Sequence, residues 1–325
     1  MSAHDDSISL RSPRIYGSVL AATVATILAS AIGLIPLGTS AFVILMVAVV
    51  VTGIPHGAID HVVAAELYGL SASFRDQAKF YGFYLALMAV YGALWFVLPA
   101  WCLAAFLLMT MYHFGQADLA YWELPPVQAR TAYLSRGLLL MGLPIAAFPE
   151  IVDPIFFAIG GIHIADWAIL SGAPATTLAA IVGQHALVLG GLALASRVDV
   201  PTKGGREAVN LAVLSALFIF VHPLVAFAVY FGLWHSLGHI LELIRFFRTE
   251  GGDVTTLSAF YQKAALYTVV SFVGLGALYA ATQSFGLQDQ MIALLFILIS
   301  IMTLPHMIIV ERLYQQRDDV APVTG

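Results

Sequence analysis

Residues 224–247 read LVAFAVYFGLWHSLGHILELIRFF. An uninterrupted apolar run of this length is what an α-helix needs to cross the ~30 Å hydrocarbon core of a bilayer. It holds few ionisable side chains: His235, His239, Glu242 and Arg245. On one helix an i, i+4 spacing puts His235 and His239 on the same face, one turn apart, where both imidazoles can bind one metal ion. Two ligands do not complete a site. Further histidines, His56, His113, His185 and His306, lie at similar depth in other apolar runs, and each alone could equally be a hydrogen-bonded packing residue.

The rest of the chain agrees with a membrane setting. Of 325 residues 60% are hydrophobic and only 10% charged, with a mean hydropathy of +0.90. A soluble domain would carry roughly a quarter of its residues as charges. The expected fold is an all-α, polytopic membrane helix bundle of about ten spans, forming one integral domain over 1–325. The expected spans are 15–35, 40–67, 80–98, 100–122, 132–148, 176–196, 209–221, 224–247, 264–282 and 290–314. Lys and Arg fall in clusters: Arg11 with Arg14, Arg75 with Lys79, Arg130 with Arg136, Arg197 with Lys203 and Arg206, Arg245 and Arg248 with Lys263, Arg312 with Arg317. Placing every cluster on the cytoplasmic side predicts both termini inside, with polar tails at 1–14 and 315–325, in the inner (plasma) membrane. Residues 151–170 must then begin and end outside, as a re-entrant or interfacial segment. The single cysteine, Cys102, rules out an internal disulfide and a thiolate metal cluster, so any metal ligands are nitrogen and oxygen.

Ionisable groups at membrane depth are costly and usually functional. GIPHGAIDH at 53–61 places Pro55 beside His56, predicting a kink that turns this imidazole inward, with Asp60 four residues on and able to reach back to its ring. YHFGQAD at 112–118 carries His113 and Asp118, and LPHMIIVERL at 304–313 carries His306 and Glu311. For metal ligation His235 and His239 rank first by spacing. His56 and His113 follow, because Asp60 and Asp118 offer carboxylates to orient their rings. Asp60, Asp118, Glu242 and His306 are expected in an outer shell, with His306 and His185 open to a substrate-lining role instead. A competing reading leaves the carboxylates simply near the cytoplasmic interface. Tyr112, Phe114, Tyr230, Phe231 and Trp234 are candidates to line an apolar tunnel, against the alternative that they only pack. Imidazole-only ligation suits iron, copper or zinc. No Gly-x-Ser-x-Gly and no glycine-rich loop followed by Lys is present, and no nucleic-acid partner is expected. The substrate is then apolar and arrives from the lipid bilayer. A di-iron desaturase or hydroxylase would need about eight ligands, and a histidine-lined metal or proton transporter or a bis-histidine haem protein are further readings.

Taken together, GIPHGAIDH, YHFGQAD, WHSLGHI at 234–240 and LPHMIIVERL resemble, in order and over most of the chain, the Brp/Blh family of membrane β-carotene 15,15′-dioxygenases. The resemblance implies cleavage of β-carotene at its central double bond by dioxygen, giving two molecules of retinal. It implies an iron(II) cofactor, with ligand positions carried over to His56, His113, His235 and His239. It further implies a functional link to a microbial rhodopsin that takes retinal as chromophore.

Overall fold

A computed structural model describes residues 9–35, 38–195, 203–286 and 290–320. Arg197 and the outermost parts of both tails lie outside the described residues. Among those described the chain is all helical, with no strand. In chain order the helices are α1 (Pro13–Ala31), α2 (Thr39–Tyr68), α3 (Phe74–Val97), α4 (Pro99–Leu119), α5 (Pro126–Ala147) and α6 (Pro149–Gly160). They continue with α7 (Pro174–Ala195), α8 (Gly205–Phe220), α9 (Pro223–Glu250), α10 (Leu257–Phe285) and α11 (Met291–Val320). A single turn at Ala168–Ser171 precedes α7.

Helix boundaries follow local chemistry. Pro occupies the first turn of α1, α4, α5, α6 and α9, where its missing N–H is no loss. Ser73 and Thr256 cap α3 and α10 by accepting the N–H of Asp76 and Ala259. Gly251 ends α9 with φ +76°, a left-handed conformation that glycine adopts without Cβ strain.

Among the described residues seven helices are long and apolar enough to cross a membrane, or eight if the bent pair α5–α6 counts as one span. Each expected span coincides with a helix, but α4 and α8 do not qualify by length and composition alone, and α5 qualifies only together with α6. The polar groups of α4, including His113 and Gln116, lower its hydropathy. Large apolar side chains face outward all round, such as Phe96 at 92% exposure and Leu187 at 78%, a surface that suits lipid and not water. The chain bends by 108° between α5 and α6, just before residues 151–170, the stretch expected to be re-entrant or interfacial. The expected polar tail from residue 315 instead continues α11, which runs to Val320.

The least exposed helix of the interior is α9. Together with α2 it is not a uniform α-helix: Val49–Gly53 in α2 and Tyr230–Ser236 in α9 are π-helical turns. These two wide turns pack on each other. Thr52 Oγ1 donates to the Gly232 carbonyl across them (3.0 Å), and Gly53 has so little space that a Cβ there would lie 2.6 Å from the Phe231 ring. A π-turn carries an extra residue per turn and is concentrated at functional sites in proteins.

Candidate functional site: an imidazole cluster beside an apolar cavity

Five imidazoles meet where α2, α4, α9 and α11 converge: His56, His113, His235, His239 and His306, each under 9% exposed. Ring centroids lie 5.3 Å apart for His56 and His235, 5.8 Å for His56 and His239, and 4.8 Å for His113 and His235. His306 is equally central, at 5.0 Å from His56, 5.2 Å from His113 and 5.5 Å from His239. All these pairs cross edge to face. The four histidines placed first by sequence are thus brought together, and His306, expected in an outer shell or lining the substrate, stands among them.

The hydrogen bonds fix how the rings are held. His56 Nδ1–H donates to the Gly53 carbonyl at the end of the π-turn, which leaves Nε2 as the ring's lone-pair nitrogen. His306 Nδ1 bonds both oxygens of Asp60, at 2.9 and 3.1 Å, and Tyr84 Oη donates to the same carboxylate at 3.0 Å. Both nitrogens of His113, Nδ1 of His235, Nδ1 of His239 and Nε2 of His306 are buried with no hydrogen-bond partner. Several unsatisfied nitrogens in one buried cluster are expensive in the absence of something to bind.

These residues fit a metal ion as a donor set. With metal–nitrogen bonds of about 2.0–2.1 Å, two imidazoles on one ion have centroids roughly 4.5 Å (adjacent) to 6.4 Å (opposite) apart, which brackets every spacing above. Neutral imidazoles suit iron among other transition metals. The described residues do not, however, present three or more donor atoms already set for one ion. The rings have gathered without their nitrogens converging on one point.

Two expected carboxylate partners are corrected. Asp60 does not reach back to His56; the helix breaks at Ile59 (φ −94°, ψ 0°) and restarts at Asp60, which turns the carboxylate to His306. Asp118 does not orient His113. Five residues separate them, about 140° around an α-helix, and Asp118 bonds Arg136 Nε at 2.9 Å and accepts from Tyr230 Oη at 3.1 Å. Glu242 forms an ion pair with Arg245 at 3.2 Å. Arg136, expected at the cytoplasmic ends, is instead 1% exposed inside α5, paired with Asp118 and with Glu207 at 3.4 Å. His185 belongs to this buried network, bonding Ser135 (2.9 Å) and Arg136 Nη1 (3.4 Å). His163 stacks on Phe157 and pairs with Asp153.

On one side of the imidazoles lies a cavity of about 200 Å³. Its wall is apolar apart from Tyr84, Thr110, Thr303 and four of the histidines, His56, His113, His235 and His306. Phe114 and Phe231 line it as expected from sequence, while Tyr112, Tyr230 and Trp234 do not. Tyr112 instead donates to Glu311 (3.2 Å), Tyr230 to Asp118, and Trp234 Nε1 to Thr23 (2.9 Å). Phe106, Phe156, Phe227 and Phe296 complete the aromatic lining, Phe156 from the bent segment α6. Nothing in their spacing singles them out from lipid-facing aromatics. On the other side is a smaller polar cavity of about 70 Å³, bordered by His235, His239, Glu242, Asp118 and Arg136. His235 therefore stands in the wall between an apolar and a polar space.

The model of the beta-carotene 15,15′-dioxygenase family matches residues 47–314, which include all five clustered histidines. A protein of Halobacterium salinarum named "Probable beta-carotene 15,15'-dioxygenase Blh" is 30% identical over 293 residues, 84% of this chain and 84% of its own. The "Beta-carotene 15,15'-dioxygenase" of an uncultured marine bacterium, 66A03, is 27% identical over 279 residues, 82% of this chain and 92% of its own. No solved structure matches the chain. By the extent of the family match and the identity to these relatives, the chain belongs to the β-carotene 15,15′-dioxygenase family.

Proposed function

We propose that this protein cleaves β-carotene at the 15,15′ double bond with dioxygen, giving two molecules of retinal, at an iron(II) centre held by His56, His113, His235 and His239. The observation that carries this reading is the cluster of buried, partly unsatisfied imidazoles in the wall of an apolar cavity, in a chain of this family. The reaction balances without an external proton donor: one C=C and the O=O bond break, and each carbon receives one oxygen as an aldehyde. Iron(II), when bound, supplies the activation of dioxygen that an apolar polyene lacks.

The chain's own residues then have three tasks. His56 and its neighbours offer neutral nitrogens, their tautomers set by bonds such as that to Gly53. Phe114, Phe227, Phe231 and Phe296 offer ring faces and edges along which a conjugated chain can lie, fixing which double bond is beside the imidazoles. The apolar wall keeps water from the reacting carbons. No side chain needs to act as general acid or base. A di-iron desaturase would need about eight ligands, and the described cluster supplies five imidazoles. The setting in this reading is the inner membrane with both termini cytoplasmic, and retinal passes to a microbial rhodopsin.

Expression in bacteria that accumulate β-carotene tests the reading. Retinal should appear on chromatography as the orange colour fades, and purified protein should hold iron. His235→Ala should yield neither. Retained β-carotene in cells that contain folded wild-type protein would overturn the proposal.

A further inference from the structure

We propose that His306 is a fifth nitrogen donor of the same centre, held in position by Asp60 and Tyr84. This deepens the proposed function and rests on it. His306 follows Pro305 on α11, Asp60 starts the helical stretch after the break in α2, and Tyr84 comes from α3, so three separate elements build one unit.

Its geometry is that of an oriented ligand. The Asp60 carboxylate accepts the Nδ1 proton of His306 at 2.9 Å and the Tyr84 hydroxyl at 3.0 Å. That fixes the ring's tautomer and leaves Nε2 with its lone pair. This nitrogen is buried, has no partner, and belongs to a ring that borders the apolar cavity. Its distances to three other imidazoles, 5.0 to 5.5 Å, fall inside the range those imidazoles keep among themselves. A carboxylate behind a histidine raises the donor strength of the far nitrogen and offsets part of a cation's charge. Asp118 pairs with Arg136 and Glu242 with Arg245, whereas the Asp60 carboxylate is bonded to a histidine of the cluster. A purely architectural role, in which the three side chains only tie α2, α3 and α11 together, would leave metal affinity untouched.

Anaerobic titration of the full-length protein in detergent with Fe(II), and with Co(II) for its visible absorption bands, separates the two. Wild type should bind one ion. His306→Gln, with an unchanged melting temperature before metal is added, should bind Fe(II) about 10- to 100-fold more weakly and show shifted Co(II) bands. Asp60→Asn should weaken binding about 10-fold, and Tyr84→Phe less, because both keep the imidazole itself and loosen only what orients it. A folded His306→Gln protein with wild-type affinity and Co(II) bands would overturn the inference alone. Should that variant fail to fold, unchanged affinity and bands in both Asp60→Asn and Tyr84→Phe would overturn it equally. If wild type binds no metal, the iron reading itself falls.

Discussion

A methyl group added to Gly137 would lie 1.9 Å from the Met111 carbonyl oxygen, and one added to Gly115 would lie 1.8 Å from that of Tyr133. No side chain separates α4 from α5 at these points; backbone rests on backbone, as small residues allow in membrane helices. His113 and Arg136 flank the contact, so it sets both the imidazole cluster and the ion pair with Asp118. Gly137→Ala should therefore destabilise the protein by about 3 kcal/mol, the upper part of the overpacking range, measured as thermal unfolding in detergent. Unchanged unfolding would mean the two helices can slide apart freely. Arg136→Ala should be worse, by about 3–5 kcal/mol, because it leaves Asp118 and Glu207 as buried carboxylates without their cation. Arg136→Lys should recover part of that, since one charge returns without the forked geometry.

At the level of elements, what matters is where the helices stop being regular. The i, i+4 spacing of His235 and His239 was readable because chain neighbours stay close in any helix. The partner of Asp60 was not, because four residues imply a shared face only if the helix between them is unbroken, and it breaks at Ile59. Nor do Val49–Gly53 and Tyr230–Ser236 announce themselves as π-turns: nothing in VVVTG or YFGLWHS forbids an α-helix, and the contact between the two segments joins residues 180 apart in sequence. Tyr84 was hidden for a related reason, since a contact between distant elements leaves no local period. The wide turn in α9 has a testable consequence. Deleting Leu233 would return Tyr230–Ser236 to α geometry and rotate one half of α9 against the other by about 100° per residue. His235 and His239 would then no longer share a neighbourhood with both His56 and Phe231. Far-UV circular dichroism should stay helical while retinal formation and metal binding are lost; an active deletion variant would show that the π-turn is incidental to the site.

Across the whole molecule, the fold class and the membrane setting follow from composition, whereas the number of crossings depends on helices that the site itself has made atypical. The seven long apolar helices alone would be an odd number and would leave the termini on opposite sides of the bilayer. Counting α4, α8 and the α5–α6 pair as well would give the ten expected from the sequence, with both termini on one side. There is a physical case for counting them. The polar residues of α4 face inward, with His113 in the cluster and Gln116 bonded to Glu311 on α11, so low average hydropathy does not mean a lipid-averse surface. Helix α8 is short, at about 24 Å of rise, but it turns Glu207 and Asn210 into the buried network around Arg136 and shows lipid Phe220 at 70% exposure. A green fluorescent protein fused to the C-terminus should fluoresce in cells, and alkaline phosphatase at the same place should be inactive, as each should be at the N-terminus. The reverse at one end only would make the count odd and remove one of α4, α5–α6 or α8 from the membrane; because His113 sits on α4, a missing α4 would separate His113 from the four imidazoles on α2, α9 and α11.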